Sequence, residues 1–150
     1  MASKITPQNL IDVQFVAEQF NTVANFTVFL QSIIDNQEAI LAARLGDSVF
    51  NSATTEISNQ VKRISLCLCA AELLQLRINR LAGNVDADSA VVIKVLQDAR
   101  KEYLKEADDK LSRTISSGSS ADSGGYAGSV QTSSSSDAEV VSLWPTQGVV

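Results

Sequence analysis

The chain has 150 residues, 45% of them apolar and 19% charged, and a net charge of −5 at pH 7. That length suits a single domain, and the acidic balance argues against a surface built to grip phosphates. Histidine is absent, which excludes a Ser-His triad, a histidine general base and histidine metal ligation.

The opening MASKITPQ lacks the apolar core of a secretory leader. No run approaches 18 apolar residues, so no membrane span is expected. Thr6-Pro7 reads as a helix start, with Thr as cap and Pro at the first helical position, where its missing amide costs nothing. Leu10, Ile11, Val13, Phe15, Val16 and Phe20 follow, until Asn21, Thr22 and Asn25 interrupt. A second helix is predicted from about Asn25 to Leu45. Its apolar face is Phe26, Phe29, Leu30, Ile33, Ile34, Ile40, Leu41 and Leu45, and its polar face Gln31, Asp35, Asn36, Glu38 and Arg44. Gly46 is expected to end it in a left-handed conformation. Residues 7–45 read equally as two helices or one bent one.

Asp47 to Ala53 is a short connection carrying Val49 and Phe50. Two apolar residues in a loop have two readings: they dock on the chain's own core, or they form a subunit contact.

Glu56 to Ala82 is the most apolar stretch. Ile57, Val61, Ile64, Leu68, Ala71 and Ile78 share one face of a helix, and Leu66, Cys67, Ala70, Leu73, Leu74 and Leu81 widen it. A helix that broad must be covered on more than one side. Its start is expected between Asn51 and Thr54, and Gly83 is expected to end it in a left-handed conformation. Cys67 and Cys69 point about 200° apart on such a helix, so they should not bridge each other; they read as small buried hydrophobes in a reducing compartment.

Asp88 or Ser89 is expected to cap the last helix, about Ser89 to Ile115. Val92, Val95, Leu96, Ala99, Tyr103, Ala107 and Leu111 hold its inner face. Lys94, Asp98, Lys101, Glu102, Lys105, Glu106, Asp109 and Lys110 form a solvated face laced by charge pairs four apart. The apolar stripe narrows from Asp98 on, as in an outer helix packed on one side.

The composition changes at Ser116. Residues 116–139 are rich in Ser and Gly with little to bury, the pattern of a flexible linker. Val140, Val141, Leu143, Trp144 and Pro145 follow as an apolar peptide, and Pro145 favours an extended Trp144. An apolar patch on a polar tether is the layout of a peptide that docks on another protein; folding back on its own body is the plainer reading. The division is thus a helical domain 1–115, a linker 116–139 and an apolar anchor 140–150, and the fold class all-α: a four-helix bundle-like domain with a long central apolar helix and a Ser/Gly-rich tail.

Candidate chemistry is sparse. Glu56 and Glu72 lie about 24 Å apart along one helix. Asp86 and Asp88 lack the spacing and turn glycine of a calcium loop and read as helix-cap residues. No phosphate loop, metal cluster, cofactor motif or nucleophile–base pair is present in the sequence, so no enzymatic activity is expected.

The layout resembles the head–tail connector, or adaptor, proteins of tailed bacteriophages. The resemblance lies in the helix closing Ile40-Leu41-Ala42-Ala43-Arg44-Leu45-Gly46, the apolar stretch Cys69 to Arg77, and the Ala-aromatic pattern Ala99 to Ala107. Proline-rich loop features that many adaptors carry between the early helices are missing. The resemblance implies a non-enzymatic virion protein, made in the host cytoplasm and assembled in the neck. It implies a ring of copies of itself, usually twelve, between the portal protein and a stopper or tail-side neck protein. DNA would pass through the ring without specific binding. It also implies that the C-terminal extension, here Val140 to Pro145, anchors on the portal. The alternative class is a small helical regulatory or chaperone-like binding module whose tail is a recognition peptide.

Overall fold

A computed structural model describes residues 2–20, 23–83 and 86–122, with side chains for all of these except 23 and 118–122. The elements in order are α1 (Pro7–Asp12), 3₁₀ turns at Ala17–Gln19 and Val23–Asn25, α2 (Phe26–Leu45), α3 (Asp47–Phe50), α4 (Thr55–Ala82) and α5 (Ala87–Asp122). No strand occurs among the described residues, so the protein is all-helical there. The anchor residues Val140, Val141, Leu143, Trp144 and Pro145 lie outside the described residues.

α1 starts where the sequence places it. Thr6 is extended (φ −118°, ψ 161°) and Pro7 opens the helix. The Asn9 side-chain oxygen accepts from the Thr6 amide at 2.8 Å and from the Thr6 hydroxyl at 3.1 Å. The helix ends after six residues, well before the expected break near Asn21. Gln14 lies at φ 74°; its amide donates to the Ile11 carbonyl at 2.9 Å, and the Phe15 amide donates to the Leu10 carbonyl at 3.3 Å. These two bonds make the paired closure usually built on a left-handed glycine, and the buried Leu10 and Phe15 flank it. A side chain in that conformation costs about 1 kcal/mol. Gln14→Gly is therefore expected to raise stability by about 1 kcal/mol in a urea titration; an unchanged midpoint would show that the turn is not strained.

Gly46 serves two helices. At φ 80° and ψ 151° it donates to the Ala42 carbonyl at 2.9 Å, closing α2, and accepts from the Phe50 amide at 3.0 Å, opening α3. That backbone region belongs essentially to glycine. Gly83 does not repeat the device: it is right-handed (φ −74°, ψ −15°), so the left-handed ending expected for α4 is not used.

α4 is the central element. Its 28 residues span about 42 Å, long enough to cross two hydrophobic clusters. In the first, Cys69, Ala70, Leu73, Leu74 and Ile78 meet Leu30 and Ile34 of α2, Leu96 of α5, and Ile5, Leu10 and Phe15 from the amino-terminal stretch. In the second, Ile57, Val61, Ile64, Cys67 and Leu68 meet Leu41, Ala42 and Leu45 of α2, Phe50 of α3, and Ala107 and Leu111 of α5. Tyr103 packs against both clusters. The pairings show that α2 and α5 each run antiparallel to α4. Both pack on α4 far more than on one another, so α4 lies between them. The broad apolar surface read from the sequence is covered from two sides by the same chain.

α5 departs from the reading in three places. It begins at Ala87 and is capped by Asp86, whose carboxylate accepts from the Ser89 amide at 2.6 Å, instead of by Asp88 or Ser89. Its backbone runs on to Asp122, beyond the expected end at Ile115 and into the predicted linker. Val92 and Val95, expected on the inner face, are 39% and 62% exposed. Contact with α4 covers only the side bearing Ile93 and Leu96 and leaves the flanking valines outside.

Candidate functional site

The described surface holds no catalytic constellation to build upon, so the candidate site is a set of surfaces. Its first part is the opening of α5. Val91, Val92 and Val95 are 66%, 39% and 62% exposed on two successive turns whose other side is core. The outward stripe continues from Val91 and Val95 into Asp98, Glu102, Lys105 and Asp109, so one helix face passes from apolar to charged. The second part is the outer side of α2, where Val28 is 69% exposed and Ile40 42%. Among the exposed side chains of α2, Asp35 alone is charged.

Of the two readings of Val49 and Phe50, docking on the chain's own core is the one Phe50 follows. Its ring is 1% exposed, inside the second cluster, with the Lys4 ammonium 4.8 Å from its centroid. A side chain enclosed by its own chain has no area left for a neighbour. Val49 packs against the same cluster and is half-buried.

Glu38, read as part of a polar face, is 4% exposed. Its carboxylate accepts from the Lys4 amide at 2.8 and 2.9 Å and from the Ile5 amide at 3.1 Å, which seats Ile5 in the first cluster. Around it the Lys4 ammonium donates to the Asn51 side-chain oxygen at 3.1 Å, and Ser3 links to Gln31 and Asp35. The signal was present in the sequence: Glu38 sits four residues after Ile34 and three before Leu41, on the buried stripe itself.

The closest charge pair of α5 runs across helices. Arg63 of α4 grips Glu106 with Nε–Oε1 at 2.6 Å and Nη2–Oε2 at 2.8 Å, a two-pronged geometry. Hydrogen bonding to Arg63 holds the Glu106 carboxyl below its usual value, and Glu106 in turn raises Arg63. Both side chains are more than a third exposed, so solvent screening limits the pair to under about 1 kcal/mol. A carboxyl whose pKa is lowered by folding stabilises the fold above its unfolded value and ceases to do so as pH falls through its folded value. Glu106→Gln is thus expected to lower stability by under about 1 kcal/mol at pH 7. The difference from the parent should vanish below the ordinary carboxylate range, as read from urea midpoints at successive pH values. Along α5 itself, Lys101 and Asp98 pair more loosely, at 3.8 Å and three residues apart.

Cys67 and Cys69 are free and buried, as expected of small hydrophobes. Burial, with a smaller contribution from Glu106, pushes the Cys67 thiol up to about 11; burial, with Glu38 and Glu72, pushes Cys69 up to about 12. Neither is primed as a nucleophile. The hydrogen bonds from Ser89 hold the Asp86 carboxyl below its usual value, in keeping with its capping role. A shallow cleft on α5 is lined by Glu102, Lys105, Glu106, Asp109, Lys110 and Arg113, charges of both signs on a solvated face. Among the described residues, no three His, Cys, Asp or Glu side chains group closely enough to hold a metal ion. No helix there is long and apolar enough to cross a membrane.

No protein-family model, curated protein or solved structure matches the chain.

Proposed function

We propose that this chain is a structural joint, a head–tail connector of a tailed bacteriophage. In this reading the helical body is bundle-like and forms a ring between portal and stopper or tail, with DNA passing through. Residues 140–145 anchor each copy to the portal. The observation that carries the reading is where the three resembling segments fall. Ile40 to Gly46 is the closing turn of α2 with its positive-φ glycine. Cys69 to Arg77 is the well-buried second half of α4, and Ala99 to Ala107 is the part of α5 packed on it. The apolar side chains left outside on α2 and α5 add to it, since an assembly component keeps surface in reserve for its neighbours.

The test is to mix the purified chain with the portal protein encoded in the same genome and to measure the mass of the product. Several copies joining each portal ring is the expected result, and removal of residues 133–150 is expected to weaken that binding strongly through loss of a repeated anchor. A chain that stays apart from the portal overturns the adaptor reading. Binding untouched by the deletion overturns the anchor.

A further inference from the structure

The amino-terminal stretch is held to the body in two separate places, with one strained residue between them. Before that residue, the Glu38 carboxylate accepts from the Lys4 and Ile5 amides at 2.8 to 3.1 Å, and Ile5 and Leu10 enter the first cluster with Leu30 and Ile34 of α2 and Leu73 and Ile78 of α4. After it, the Phe20 ring lies 6.1 Å from Phe26 and 5.5 Å from Phe29, and the Arg80 guanidinium donates to the Glu18 carbonyl at 2.9 Å. Gln14, at φ 74°, joins the two parts. We infer that this joint opens between copies: Gln14 straightens, residues 2–13 leave their own body, and they seat in the same α2–α4 groove of a neighbouring copy. Such an exchange needs no portal, and it goes beyond the adaptor reading.

Three observations select a second copy as the occupant. The groove already holds this sequence: Leu10 is fully buried in it and Ile5 is 5% exposed. A neighbour's arm brings the same side chains and the same bonds to Glu38, so exchange leaves the contacts of the arm unchanged. The closed form also stores strain at the joint, since a side chain sits at Gln14 in a conformation that suits glycine, and a strained hinge favours exchange of the element it carries. Finally, the joint is bordered by sequence able to run straight. Residues 8–20 hold neither glycine nor proline, and the apolar spacing from Leu10 to Phe20 suits one helix. In the turn, the Gln14 amide donates to the Ile11 carbonyl and the Phe15 amide to the Leu10 carbonyl. A straight helix trades these for Gln14 to Leu10 and Phe15 to Ile11, so no backbone group is left unpaired. Residues 7–20 then form a rod of about 21 Å, which carries Ile5 away from its own Glu38 and towards another copy's.

Cysteines at the seat of the arm test this in the full-length chain. The Ser3 hydroxyl lies 3.4 Å from the Asp35 carboxylate, both side chains are exposed, and the native Cys67 and Cys69 are enclosed and do not compete. The double variant Ser3→Cys/Asp35→Cys, oxidised at low concentration, is expected to close a disulfide within one chain, which shows that the two thiols meet. The single variants Ser3→Cys and Asp35→Cys are then mixed, incubated over rising concentration and oxidised. No closed monomer holds both thiols, so only an exchanged arm brings them together. The mixture is expected to give a disulfide-linked dimer several-fold above either variant alone. Adding Gln14→Gly to both chains is expected to cut that yield roughly five- to thirtyfold, because glycine relieves the turn and disfavours the straight helix. A double variant that fails to close, a mixture that links no more than the single variants up to the solubility limit, or a yield indifferent to Gln14→Gly each overturns the exchange. Portal binding has no part in this readout, so the adaptor reading stands or falls separately.

Discussion

Replacing Glu38 with leucine destabilises the protein by about 3 kcal/mol, because the change strips the acceptor from two backbone amides and leaves them enclosed. Leucine fits the neighbouring apolar row, so lost packing does not account for the effect. The Lys4 and Ile5 amides both point at this carboxylate, and Ile5 is 5% exposed. Urea denaturation gives the magnitude, and hydrogen exchange gives the place: the amides of Lys4 and Ile5 should lose protection before those of α4. Glu102→Gln, on the exposed side of α5, is the control and is expected to change stability by less than about 0.5 kcal/mol. An equally small effect at Glu38 would mean that the amino-terminal stretch is not held by this carboxylate.

The second large effect is expected at Phe50. Truncation to alanine removes a ring that is 1% exposed between α2, α4 and α5, and large-to-small changes of that kind cost about 3–5 kcal/mol. The Lys4 ammonium also loses the ring it lies over. Thermal or urea melts of the monomeric protein measure this directly. The outcome discriminates between the two readings of the connection after α2. A core residue lowers the stability of the isolated chain, whereas a subunit contact leaves it intact and lowers only self-association.

How much of this was legible follows from what each signal depends on. Helix starts and stops set by local chemistry were readable: Thr6-Pro7, the end of α2 at Gly46 (though with an extended ψ of 151° in place of the left-handed turn), and the start of α4 after Thr54. So was the breadth of the α4 apolar surface, since periodicity reports burial from any direction. Features set by long-range partners were not. The spacing of Glu38 to Ile34 and Leu41 puts it on the buried stripe, but only the arrival of Lys4 and Ile5 supplies the amides it accepts from. Glu106 has cations along its own helix, yet Arg63 of α4 takes it, because a two-pronged grip across a helix pair is better aligned. Val92 and Val95 follow the inner periodicity of α5 but stand outside, because α4 covers only one side there. Gln14 breaks the first helix in a conformation that sequence patterns reserve for glycine. The exposed apolar side chains were legible in part. The apolar excess was visible, but which of its members the chain itself encloses was decided by packing: Phe50 went inside and Val28 stayed out.

The two enclosed thiols lend the molecule an internal clock. Cys67 belongs to one hydrophobic cluster and Cys69 to the other, although they sit two residues apart on the same helix. Neither ionises readily while enclosed, so a thiol-directed alkylating reagent at neutral pH modifies each one only when its own half of the molecule opens. Mass spectrometry that resolves the two adducts over time would then reveal whether the halves breathe in concert or one gives way first.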